Sequence, residues 1–276
     1  MAMQPIRARN VGAWLLIGAV VLYAAILLFA PLISIVASAF ASGIERAVAS
    51  LNDPDLGSAV GVTALLALFT VAINTVIGIV IAWVLTRDRF PGQWLFNAVV
   101  DLPVAASPVI IGFVIIVLFG RGGWLTDLPV QIAFAFPGML LVTLFVTLPF
   151  VVREVMPVLA AMTPEQEDAA ATLGASRWRI FRRVVFPVIW HGVLYGAVLT
   201  LSRAVGDYGG VLAAGGGLQG ATETATIYVY RSLNDRNRIG AYTVAVLLGA
   251  FAVAVLVIIN RLRREAGETV VSEDAT

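Results

Sequence analysis

The 276 residues are 60% hydrophobic and only 13% charged, where a soluble domain carries about 25% charged residues. So much apolar surface cannot all be hidden in one soluble core, but a bilayer rewards its exposure. The net charge is +1, there is no cysteine and there is one histidine, His191, so a nucleic-acid-binding field, disulfides, thiol catalysis and histidine clusters are all excluded.

A transmembrane helix needs about 20 largely apolar residues. Six runs are apolar enough over such a length, and they predict spans at about 12–38, 58–86, 97–119, 130–152, 187–212 and 239–261. Arg7 and Arg9 precede the first run, which is far longer than the roughly 7–15 residues of a signal-peptide core. It is therefore read as a span and not as a cleaved leader. Residues 1–264 form the predicted membrane domain, with a cytoplasmic connecting loop at 153–186 and a disordered acidic tail at 265–276.

Orientation follows the arginines. With the N-terminus inside, twelve arginines fall in cytoplasmic segments and five on the opposite side, which predicts that both termini are cytoplasmic. Trp14, Trp83, Trp94 and Trp124 fall near span ends, as an aromatic belt requires. Pro103 and Pro108 interrupt the third span, and Pro137 and Pro149 the fourth. Two readings of these breakers stay open: bends that line a pathway, or packing kinks. No internal repeat of the kind found in many secondary transporters is visible.

The loop between spans four and five is the most informative segment. Thr163 is placed to N-cap a helix that starts at Pro164, with Gln166 at the capping-box position. Glu165, Glu167 and Asp168 crowd its first turn, where the helix dipole favours anions. Gly174 stands where a left-handed residue would end that helix. Ser176 is placed to cap a second helix carrying Arg177, Arg179, Arg182 and Arg183, and Pro187 marks the approach to span five. Ala169, Ala170 and Ala171 leave the first helix bare enough for another protein to approach its backbone. The other reading is an amphipathic connector whose arginines meet lipid phosphates.

Asp168-Ala169-Ala170, Gly174 and Val184-Val185-Phe186-Pro187 resemble the EAA loop of ATP-binding-cassette importer permeases. Asp168, Val184 and Phe186 replace the family's Glu, Ile and Leu, with the family's spacing kept. The resemblance implies an all-α integral membrane fold: a six-transmembrane-helix ABC importer permease, type I importer-like, with a cytoplasmic coupling helix that docks on an ATPase. It implies that Glu167, Asp168, Ala169, Ala170, Gly174 and Pro187 belong to that ATPase-coupling loop. Three further segments, Asp101-Leu-Pro-Val-Ala-Ala-Ser-Pro108, Phe145-Val-Thr-Leu-Pro-Phe-Val-Val-Arg-Glu154 and Arg203-Ala-Val-Gly-Asp-Tyr-Gly209, narrow the resemblance to sulfate/thiosulfate permeases, and to the W-type subunit of that pair. It further implies inward transport of the oxyanion by alternating access, in a bacterial inner membrane. The implied partners are a second, T-type permease chain, two ATPase subunits and an extracytoplasmic sulfate-binding protein. A related molybdate or tungstate permease is the alternative.

All 18 basic residues are arginine, and a P-loop needs a lysine to reach the nucleotide's phosphates. Gly215-Gly216-Gly217 is followed by Leu-Gln-Gly and is no phosphate cradle. ATP and Mg are therefore expected on a partner chain, with no cofactor or metal in this one and no enzymatic activity of its own. Arg203 and Asp207 lie one turn apart in the fifth span, where ionisable groups are costly and by default functional. They are candidates either for the translocation path of a divalent oxyanion or for a structural ion pair. Ser202, Thr143 and Thr147 are neutral donors with the same two readings. A secondary transporter or channel fits poorly with the loop spacing and with the scarcity of carboxylates in the spans. No nucleophile–base pair suggests an intramembrane enzyme.

Overall fold

The computed structural model describes residues 11–126 and 129–273. Arg7 and Arg9 lie outside the described residues, as does the end of the acidic tail. Helix is the regular structure throughout the described residues, as lipid demands of a chain that must satisfy its backbone internally.

The chain runs through α1 (Val11–Phe40), α2 (Ile44–Ala49), a 3-10 turn (Ser50–Asn52), α3 (Pro54–Arg87), α4 (Gln93–Ala105), α5 (Pro108–Phe119) and α6 (Phe136–Ala161). It continues through α7 (Pro164–Thr172), α8 (Arg177–Ile180), a π-helical turn (Phe181–Val185), α9 (Phe186–Gly206), α10 (Gly209–Gly215), α11 (Ala225–Asn234) and α12 (Arg238–Glu273). Among the described residues, α1, α3, α6, the continuous run from Arg177 to Gly206, and α12 are each long and apolar enough to cross a membrane.

Several predicted boundaries are corrected. The third span is broken: α4 and α5 meet at 108°, and at about 1.5 Å per residue neither is long enough to cross alone. Pro108 is the cause, because a residue before proline is driven out of the helical region; Ala106 and Ser107 are both extended. The fourth helix runs on to Ala161 instead of stopping at 152: Arg153 closes the apolar run but favours helix, and it pairs with Asp101 of α4. The loop segment is correspondingly shorter. The fifth span stops at Gly206, and Asp207 is extended (φ −74°, ψ 127°) before α10 begins. It also starts early: Pro187 lies inside a helical run and does not precede one. The missing N–H of Pro187 is absorbed by the π turn, in which Phe186 N–H reaches back to the Phe181 carbonyl. The tail expected to be disordered from 265 continues α12 to Glu273. No proline interrupts that stretch, and Ala and Glu favour helix.

The contacts fix the path. Arg87, at the end of α3, bonds to Met162 and Glu167 just beyond the end of α6, so α3 and α6 finish at the same end of the bundle. The segment between them must return to the opposite end, which makes α4–α5 one broken crossing. At that opposite end Tyr228 of α11 donates to Asp53 at the start of α3 (2.7 Å), and Phe134 N–H donates to the Ala214 carbonyl (2.7 Å). The bundle therefore makes six crossings, with α1 packed along α12.

α6 is the central helix, in contact with α3, α4, α5, α9 and α10. Its Val151, Val152, Val155 and Leu159 form a core with Ala82 and Leu85 of α3, Val100 of α4 and Ile189 and Val193 of α9. Helices in lipid associate by close packing, which small residues permit. A Cβ on Gly78 would lie 2.7 Å from Val151 Cβ, and one on Gly196 would lie 2.7 Å from Val151 Cα. Asn74 adds a polar clasp, donating to the Leu144 carbonyl (3.0 Å) and to Thr147 Oγ1 (2.7 Å).

Gly196→Leu is expected to push α9 off α6 and to cost about 1–3 kcal/mol, read as a lowered thermal midpoint of the purified protein in detergent. Gly61→Leu, where a Cβ meets nothing within 4 Å, should leave the midpoint in place. Equal midpoints would show that the seam is not tightly packed.

Candidate coupling surface and membrane-embedded charges

The loop forms the expected helix–turn–helix, though its caps differ from expectation. Thr163 occupies the N-cap of α7 and Ser176 that of α8, yet neither hydroxyl makes a capping bond. Proline at the first position of α7 removes one of the donors a cap would serve. The α7 C-terminus closes as a Schellman motif: Gly174 N–H donates to Ala171 (2.9 Å) and Ala175 N–H to Ala170 (3.1 Å). Gly174 has φ +79°. Ala170 and Ala175 turn inward against the α3–α6–α9 core.

The structure divides the predicted loop residues into two sets. Glu167 faces the bundle, where Arg87 Nη2 donates to its Oε1 at 2.6 Å and both side chains are mostly covered. Arg87 Nη1 also donates to the Met162 carbonyl (3.2 Å), so Glu167 anchors the loop to α3. Asp168, Ala169, Ala171, Thr172 and Gly174 face outward, and Leu173 is 88% exposed. An exposed leucine on a nearly bare alanine helix, rimmed by acidic groups, suits close approach by another protein surface. Pro187 lies in the helix entering the bundle, away from this surface.

Arg203 and Asp207 are brought together at the end of α9, Nη1 to Oδ1 at 3.9 Å. Asp207 is 3% exposed, and its Oδ2 has no hydrogen-bond partner. It sits under Gly210 of α10, while Thr226 Oγ1 of α11 donates to the Asp207 carbonyl (3.0 Å). Arg203 is partly open, and its loose contact with Asp207 leaves guanidinium donors able to meet an oxyanion. Thr143 and Thr147 are fully buried and bond to the carbonyls of Met139 and Thr143 in their own helix (2.9 and 2.7 Å). Their hydroxyls are thus engaged in packing. Ser202 is half-buried beside Arg203.

Two charge clusters escaped the sequence reading. Arg153 of α6 holds Asp101 of α4 with both ends of its fork: Nε donates to Oδ1 at 2.8 Å and Nη2 to Oδ2. At the other end of the bundle, Arg231 of α11 binds the fully buried Glu223 (Nε to Oε1, 2.6 Å) as well as Asp55 and Asp235. The hydrogen bond to Glu223, more than the opposing desolvation, holds the Arg231 guanidinium above its ordinary range. Burial, with the hydrogen bond to Asp53, pushes the Tyr228 phenol up. The i,i+4 spacing of Arg231 and Asp235 and the carboxylate inside a predicted span were the available signals. Asp55 and Glu223 carried none.

Residues 74–264 match the family described as the binding-protein-dependent transport system inner membrane component. The chain is 42% identical over 258 residues to the sulfate transport system permease protein CysW of Synechocystis sp., covering 92% of this chain and 94% of that one. It is 41% identical over 261 residues to CysW of Escherichia coli K12, covering 93% and 90%. To CysT of the same organism it is 32% identical over 264 residues, covering 94% and 95%. Among solved structures, a chain of the bacterial alginate ABC transporter in complex with its alginate-bound periplasmic protein superposes with a TM-score of 0.73 at 16% identity, covering 92% and 94%. A chain of the MetNI methionine ABC transporter gives 0.54 at 21% identity, covering 76% and 95%. These two likenesses bear on fold alone: the helical bundle has the fold of those two chains. With the family match spanning well over half its length, the chain belongs to the inner membrane components of binding-protein-dependent transport systems.

Proposed function

We propose that this chain is the W-type permease subunit of a sulfate/thiosulfate importer, moving the oxyanion into the cytoplasm while separate subunits hydrolyse ATP. The observation that carries the proposal is identity of 41–42% to sulfate transport system permeases along more than nine-tenths of this chain. Identity is lower, 32–37%, to T-type permeases than the 38–42% to W-type ones, which favours the W-type place in a heterodimer. The membrane is the bacterial cytoplasmic one, with both ends of the chain inside; the excess of arginine on the coupling-loop side supports that orientation.

The outward face of α7, with Asp168, Ala169 and Leu173, is the surface offered to an ATPase subunit. Glu167 and Arg87 transmit its displacement to α3, and the Ala170–Gly174–Ala175 closure keeps α7 rigid enough to transmit it. Two ATPase subunits, a T-type partner and an extracytoplasmic binding protein complete the assembly. Docking that differs between nucleotide states supplies the free energy that shifts the bundle between its two openings. ATP and Mg act on the partner; this chain has no lysine to build a P-loop. Arg203 meets the passing dianion, and Asp207, held at the α9–α10 break, limits how tightly that fixed charge can trap it.

Deletion of this chain is expected to abolish uptake of labelled sulfate, and re-expression to restore it with competition by thiosulfate. If labelled molybdate uptake falls and sulfate uptake does not, the substrate assignment is wrong while the permease assignment stands. Gly174→Val meets no steric obstacle, but a left-handed residue costs about 1–2 kcal/mol outside glycine. The variant should assemble normally and lose most ATP-driven uptake; wild-type uptake would remove the coupling role. Arg203→Gln should cut uptake at least about tenfold, with partial rescue by Arg203→Lys. Equal loss in both variants together with poor assembly would leave the pair a structural one.

A further inference from the structure

The ion pair between Asp101 and Arg153 has no part in the function proposed above, and its setting is unusual. Of the thirteen residues of α4, Val100 and Pro103 are the buried ones. Trp94, Leu95, Val99, Leu102 and Val104 are exposed. The helical path is broken at both ends of α4. Gly92 precedes it at φ +89°, with nothing within 4 Å of where a Cβ would stand, and the extended Ala106–Ser107 link follows it. α4 is thus a short helix resting on α6 between two breaks.

Two polar links hold this helical arm. Gln93 Nε2 donates to the Leu85 carbonyl of α3 at 2.7 Å, close to its N-terminal break. Farther along, the Arg153 fork grips Asp101 by both carboxylate oxygens. These two side chains are 41% and 50% exposed, so a solute can reach them. Charges so placed on a membrane helix face a water-filled path or a partner and not lipid. A cavity of about 430 Å³ beside Arg153, lined by Leu85, Thr86, Met156 and Pro157, has room for a small tetrahedral anion. The last turn of α3 ties the arm to the coupling loop, because Leu85 receives Gln93 while Arg87 holds Glu167.

A guanidinium fork binds a carboxylate and a tetrahedral oxyanion through the same paired N–H donors. We propose that Asp101 is a tethered stand-in for the transported oxyanion. It keeps α4 latched to Arg153 until an incoming dianion exchanges with it, which frees the arm and places the dianion at the coupling-loop end of the path. The inference rests on the oxyanion-transport reading above and adds to it a second anion-binding arginine together with the gate it controls. One dianion replaces one carboxylate at the fork, so release of the arm and occupation of Arg153 are the same event.

The chain has no cysteine, so spin labels on it attach at Val104→Cys (α4) and Val76→Cys (α3) alone, both exposed positions. Distances would be measured by pulsed electron paramagnetic resonance on the purified full transporter, in chloride and in millimolar sulfate. A single separation is expected in chloride and a second, released separation in sulfate. Asp101→Asn should shift the ratio toward the released arm by roughly tenfold without sulfate, Asp101→Glu should stay latched, and Arg153→Gln should release the arm and abolish the sulfate response. If Asp101→Asn does not assemble, Arg153→Lys, which keeps the charge and loses the fork, supplies the same readout. Release by Asp101→Asn with no response to sulfate, thiosulfate or molybdate would overturn the exchange. An unmoved arm in every variant and every anion, with normal sulfate uptake, would overturn the latch and leave the transport reading intact. Release by molybdate and not by sulfate would keep the latch and sink the sulfate reading.

Discussion

Close approach of both α3 and α9 to α6 at Val151 is the contact on which the other parts depend. In lipid the hydrophobic effect gives helices little reason to associate, since the surrounding chains are as apolar as leucine. What remains is interlocking at short range and a few polar clasps. Gly78 and Gly196 provide the first, and Asn74 bonding to Leu144 and Thr147 the second. The three helices so joined form a rigid frame whose two ends do different work.

At one end the frame presents α7. That helix has little burial of its own, and it keeps its place through Glu167 and Arg87, through Ala170 and Ala175 packed on the core, and through the left-handed turn at Gly174. A helix held at so many points moves with the bundle and not independently of it. At the other end, Arg231 gathers Glu223, Asp55 and Asp235, and Tyr228 binds Asp53. These bonds tie α11 to the start of α3, so that both ends of α3 are held by charged groups. Against this frame α4, like α1, is lightly packed, and mobile elements are drawn from such low-burial segments.

Much of the site was legible without coordinates. The Asp168-Ala169-Ala170 and Gly174 spacing singled out this loop as the candidate coupling surface, and helix-end chemistry placed α7 to within a residue, since proline-first and glycine-last are local signals. The side of the helix that each residue faces was not legible. Glu167 and Asp168 are adjacent acidic residues, and only the position of Arg87, eighty residues earlier, turns one inward and leaves the other for a partner. Likewise Thr143 and Thr147 carried two readings, path donors or hydroxyls bonded to their own helix, and the structure shows both buried and bonded to carbonyls of α6.

Composition, apolar run length and arginine asymmetry by themselves determined a membrane bundle of six crossings. Those properties depend on transfer of apolar surface into lipid, which is additive along the chain. The absence of lysine likewise excluded a P-loop from this sequence. Tertiary structure alone decided that the third crossing is broken at 108°, that α6 continues past Arg153, and that Asp101 and Arg153 meet across 52 positions of sequence. A charge ends a hydrophobic run in any one-dimensional reading. It does not end a helix, since arginine favours that conformation; which opposite charge it meets across the bundle is decided by the folded chain alone.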